Sequence, residues 1–126
     1  MAMSVLVADD DKNVRELIRA TLGDDPRYQL LLAKDGQEAL ELARSEKPNL
    51  VFLDIMMPKM DGIRVCQRLK SDLSTMRAKV VMLSALSCSE EREEARAAGA
   101  DGYFTKPFGL TALLETVEEV LFGGTI

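Results

Sequence analysis

Five short apolar runs recur along this chain, and four of them stop at an acidic, hydroxyl or amine side chain. Ser4-Val-Leu-Val-Ala8 gives way to Asp9-Asp10-Asp11, and Leu50-Val-Phe-Leu53 to Asp54. Val80-Val-Met-Leu83 ends at Ser84, Gly102-Tyr-Phe-Thr105 ends at Lys106, and Leu30-Leu-Leu-Ala33 is the fifth run. Short, continuous runs rich in β-branched or aromatic residues read as strands of a parallel sheet buried on both faces. Helix-like segments separate them, so the alternation predicts an α/β fold with right-handed crossovers and helices on both faces. Strand C-termini in such a sheet converge on one crevice, where ligands bind. The fold would then gather three or four carboxylates, a hydroxyl and an ammonium in one pocket. That is a setting for a divalent cation and a phosphoryl group.

The intervening segments carry helical spacing. Val14, Leu17, Ile18, Thr21 and Leu22 make one apolar face, closed by Gly23. Asp35-Gly-Gln-Glu38 reads as a capping box, with Ala39, Leu40 and Ala43 facing inward. A third helix starts near Gly62 and buries Ile63, Cys66, Leu69 and Leu73; a fifth buries Leu110, Leu113, Leu114, Val117, Val120 and Leu121. The fourth, about Ser89 to Ala98, is mostly charged and offers the core only Ala95 and Ala98. Burying Ala in place of Leu forfeits roughly 1–2 kcal/mol per position, so this helix should be the most loosely held.

A length of 126 residues suits one domain. The net charge of −5 disfavours direct binding to nucleic acid or to an anionic membrane. No apolar stretch approaches the roughly 18 residues of a membrane span. Two cysteines, Cys66 and Cys88, make no disulfide framework, which points to a reducing cytoplasmic compartment. There is no histidine, so any resident metal must favour oxygen ligands, as Mg2+ does.

Each polar strand end has an ordinary use as a cap or turn residue. Together they are harder to explain without a ligand, because Asp9, Asp10, Asp11 and Asp54 repel one another unless a cation neutralises them. The stretches VLVADD, FLDIMMPKMDG, VVMLSA and YFTKPF, in this order and spacing, resemble the receiver domain of bacterial two-component response regulators. The resemblance spans residues 4 to about 122 and makes the chain a single receiver domain over 1–126, with 123–126 as a linker start. It implies a flavodoxin-like doubly wound sheet of strand order 2-1-3-4-5.

Carried over by position, the resemblance implies that Asp54 accepts the phosphoryl group. It implies that Asp9, Asp10, Asp54 and the backbone carbonyl of Met56 hold Mg2+. Lys106 and Ser84 would contact the phosphoryl oxygens, Tyr103 would be the aromatic switch residue, and Asp11 would stand outside the metal's ligands. The implied donor is a sensor histidine kinase or a histidine phosphotransfer domain, and the implied listener an output domain or protein. A phosphorylation-dependent dimer stays open, although Glu115, Glu118 and Glu119 without Arg or Lys on the last helix disfavour the winged-helix regulators' mode. A haloacid-dehalogenase-like phosphatase would carry Asp at position 56, where Met stands; a flavodoxin would need a Ser/Thr/Gly loop in place of Asp9-Asp10-Asp11. An interaction module that takes no phosphate is the remaining alternative, disfavoured by the complete acceptor set.

Overall fold

The computed structural model describes residues 2–86 and 88–123. Strands β1 (Met3–Ala8), β2 (Tyr28–Ala33), β3 (Leu50–Asp54), β4 (Lys79–Ser84) and β5 (Gly102–Thr105) alternate with α1 (Lys12–Leu22), α2 (Gly36–Glu46), α3 (Gly62–Ser71), α4 (Ser89–Ala97) and α5 (Leu110–Phe122). The strands form one parallel sheet of order β2-β1-β3-β4-β5, as the resemblance implies. Register aligns their C-terminal ends: Ala8 lies beside Leu53, Asp54 beside Leu83, and Ser84 beside Thr105.

Pleating sends successive side chains to opposite faces, and both faces are buried. Leu6, Val51, Leu53, Val80 and Met82 pack under α2, α3 and α4; Val5, Val7, Phe52, Val81 and Leu83 pack under α1 and α5. This explains the uninterrupted apolar runs.

Three leucines depart from the expected inward faces. Leu17 is 44% exposed, because the core contacts of α1 run through Ile18 and Leu22, and Leu17 lies about 100° round the helix from Ile18. Leu73 is 88% exposed, because α3 ends at Ser71 and the chain extends at Asp72, so Leu73 has left the helix altogether. Leu110 opens α5 ahead of the core contacts that begin at Leu113. The capping box forms in a displaced version: Asp35 Oδ1 accepts from Glu38 N at 2.8 Å, while Glu38 Oε1 takes the Lys34 N–H at 2.9 Å. Helix α4 buries only Ala95 along its length and has no side-chain cap, with Ala98 buried just beyond it. Of the expected linker start, Gly123 caps α5 in the left-handed region, and 124–126 lie outside the described residues.

Candidate functional site

The ends of β1 and β3 bring Asp9, Asp10 and Asp54 together, with a carboxylate oxygen from each within 4.8 Å of the others. Asp9 and Asp54 are buried, and Asp10 faces solvent. Asp11, third in the acidic run, leaves the cluster to cap α1, where its Oδ1 accepts from Asn13 N at 2.8 Å. Asp9 Oδ1 accepts from Asp11 N at 2.9 Å, and Arg15 steadies the same turn by donating to the Asp9 carbonyl at 2.7 Å.

Asp9 Oδ2 is buried and accepts no hydrogen bond among the described residues. Lys106 Nζ lies 2.7 Å from it, a charge contact without the direction of a hydrogen bond, and 3.5 Å from Asp54 Oδ2. Burial, reinforced by the Asp9 charge, pushes the Asp54 carboxyl up to about 7, against the pull of Lys106 and of the Met56 amide. Burial also works against the Lys106 ammonium, but contact with Asp9 and the charge of Asp54 outweigh it and hold its pKa above the usual value.

The loop after β3 is locked around Asp54. Met56 N donates to Asp54 Oδ1 at 3.3 Å, and Gly62 N donates to Ile55 O at 2.9 Å. Asp61 caps α3 through Arg64 N at 2.9 Å. A Cβ on Gly62 would stand 2.3 Å from the Asp54 carbonyl oxygen, so only glycine fits there. Gly36 is as confined from the other side, where a Cβ would meet the Met60 carbonyl at 2.0 Å. The MDG stretch thus supplies a close approach, a cap and a fixed position for Asp54.

Across the crevice, the backbone N–H of Lys106 donates to Ser84 O at 2.6 Å, tying β5 to β4. Ser84 is buried, and its Oγ accepts from Leu86 N at 3.0 Å while its hydroxyl donates to Glu91 on α4. The Tyr103 hydroxyl has two acceptors in reach, Glu91 Oε1 at 2.6 Å and Leu86 O at 2.8 Å. Met56 and Leu86 border this region, both more than half exposed.

All the side chains expected at the site therefore lie at one end of the sheet: Asp9 and Asp54 against Lys106 with Asp10 beside them, and Ser84 and Tyr103 joined through Glu91. Glu91 was not nominated. In the sequence it is one of four glutamates in a charged run, and only the packing of α4 singles it out. Three carboxylates clustered at the strand ends suit a small oxygen-seeking cation.

An open parallel sheet with this acidic crevice suits a signalling domain of the two-component class, and the family match shows that class. Residues 5–118 match the response regulator receiver domain, and the chain belongs to that family. The response regulator MprA of Mycolicibacterium vanbaalenii is 41% identical over 121 residues, which cover 96% of this chain and 51% of MprA. The chain thus spans about half the length of the curated relatives it matches. Among solved structures, the Vibrio cholerae chemotaxis protein CheY4 superposes with a TM-score of 0.89 at 30% identity, covering 96% of this chain and 100% of that one. The receiver domain of the Francisella response regulator 1452 gives 0.84 at 34% identity, covering 94% and 95%. No helix among the described residues is long and apolar enough to cross a membrane.

Proposed function

We propose that Asp54 accepts a phosphoryl group from a histidine kinase or histidine phosphotransfer domain and that the acyl phosphate switches the domain's outward surface. The carrying observation is the buried Asp9–Lys106–Asp54 cluster, in which one ammonium serves two carboxylates. A carboxylate is a competent nucleophile toward phosphorus. Asp54 would attack while the bond from phosphorus to the donor's imidazole breaks; the chain has no histidine of its own. Lys106 would turn from Asp9 to the phosphoryl oxygens, and the Ser84 hydroxyl would donate to them.

Asp9, Asp10, Asp54 and the Met56 carbonyl would hold Mg2+, with Asp9 acting directly or through water. Bound there, Mg2+ supplies charge neutralisation and polarisation of the phosphoryl oxygens. The domain acts as a switch that assists its own phosphorylation and dephosphorylation. We read residues 1–126 as one such domain, working in the cytoplasm, where Cys66 and Cys88 stay reduced.

Incubation with Mg2+ and acetyl phosphate tests this directly. Intact-mass spectrometry should find one base-labile phosphoryl group, lost in Asp54→Ala and reduced in Asp10→Ala. Normal labelling of Asp54→Ala would overturn the assignment.

A further inference from the structure

Glu91 reaches toward the site from α4; its Oε1 accepts from the Ser84 hydroxyl and stands 2.6 Å from the Tyr103 hydroxyl, whose one hydrogen it shares with Leu86 O. The next residue, Arg92, lays its guanidinium over the Tyr103 ring at 4.7 Å from the centroid. Helix α4 therefore grips Tyr103 at its hydroxyl and at its ring face. Little else secures the helix, since its apolar anchorage is Ala95 with Ala98 beyond it. A polar anchor then carries an unusual share of what positions the helix.

We infer that Glu91 is a positioning residue that holds the unphosphorylated arrangement by competing with the phosphoryl group for the Ser84 hydroxyl. This rests on the reading of Asp54 as the acceptor. A serine hydroxyl has one hydrogen and can donate to Glu91 or to a phosphoryl oxygen, not to both at once. Both acceptors are anionic, so the exchange trades one charge-assisted hydrogen bond for another, and this contact by itself opposes the phosphoryl group about as strongly as the phosphoryl group attracts the hydroxyl. Phosphorylation draws Ser84 off Glu91, and α4 loses its tie to β4 while keeping Tyr103. The covalent event at β3 thereby becomes a change in how α4 is seated. Removing the Glu91 carboxylate releases Ser84 in advance and tips the balance toward the phosphoryl-bound arrangement.

Beryllofluoride with Mg2+, a phosphoryl mimic, reads this balance by 19F NMR titration. Wild type should bind it in an Asp54- and Mg2+-dependent way. Glu91→Ala should bind roughly tenfold tighter, the scale of one hydrogen bond to a charged group. Glu91→Gln, which keeps a neutral acceptor, should gain less. In a Ser84→Ala background, Glu91→Ala should change nothing, since the competition is for the serine proton. A merely structural role for Glu91 would not depend on Ser84.

Unchanged or weaker binding by folded Glu91→Ala overturns the inference, as does an equal gain without the serine. If Glu91→Ala does not fold, unchanged or weaker binding by Glu91→Gln overturns it equally. Wild-type binding that ignores Asp54, or no binding at all, overturns the acceptor reading and the inference together.

Discussion

Lys106 is paired with Asp9: its ammonium stands 2.7 Å from Oδ2 of a carboxylate that is wholly buried. The cation nearest Asp54 is thus shared, and held closer to a second carboxylate, before any phosphoryl group arrives. Truncating it should have two opposite effects. Lys106→Ala leaves the Asp9 carboxylate buried and unpaired, which should cost about 3 kcal/mol of metal-free stability in a denaturant titration, the low end for a broken buried pair. The same change removes a competing positive charge, so Mg2+ should bind about five- to tenfold tighter. Phosphorylation should nonetheless fall sharply. Weaker Mg2+ binding by the variant would show that Lys106 organises the acidic cluster and does not compete within it.

The raised Asp54 carboxyl sets a pH window. Its folded pKa, about 7, lies above the ordinary 3.8, so the fold favours the protonated form. The stabilising contribution of this group is full below about pH 4 and is lost as pH rises through about 7. Metal binding needs the ionised form and runs the other way. Thermal melts should show Mg2+ raising Tm little near pH 5 and progressively more through about pH 7 to 8. An Mg2+ effect of constant size across that range would contradict the shift.

Gly62→Ala tests the confinement of the acceptor end. The new Cβ would fall 2.3 Å from the Asp54 carbonyl oxygen, so backbone must move at the residue proposed to take the phosphoryl group. We expect a stability loss of about 1–3 kcal/mol, on the scale of overpacking, together with slower phosphorylation. An unchanged denaturation midpoint would mean that the loop yields freely.

If Asp54 takes the phosphoryl group as proposed, hydrolysis of the acyl phosphate requires a water placed in line with the Asp54–phosphorus bond. Met56 and Leu86, 68% and 52% exposed beside that approach, carry no group that orients water or accepts its proton. General-base help is typically worth about 10²–10⁴-fold, so its absence should make the phosphorylated state persistent. A Met56→Asn, Leu86→Glu double variant should lose phosphate faster than wild type. Equal decay rates would show that these side chains do not set the clock.

The parallel sheet was legible in the sequence because strands buried on both faces leave uninterrupted apolar runs, and the reactive positions because each follows such a run. The resemblance supplied the strand order. Leu73 and Leu110 depart from the expectation because periodicity identifies a face but not where the helix stops or where its core contacts begin; Leu17 departs because it lies at the edge of the stripe that Ile18 and Leu22 bury. Asp11 adjoins Asp9 and Asp10 in the sequence, but the backbone turns it to the α1 cap, a role that composition alone does not reveal. Glu91 was hidden because its partners, Ser84 and Tyr103, are 7 and 12 residues away and meet it only when α4 docks.

The alanines under α4 also limit how much work a signal must do. A phosphoryl group shifts an equilibrium only by its differential affinity for the two states. Driving a population from 1:99 to 99:1 takes about 5.5 kcal/mol. Each leucine seated under the helix in place of Ala95 or Ala98 would add roughly 1–2 kcal/mol to the cost of moving it. Shallow anchorage keeps the whole transition within reach of one covalent event. A better-packed α4 would give a more stable domain that takes phosphate and fails to respond.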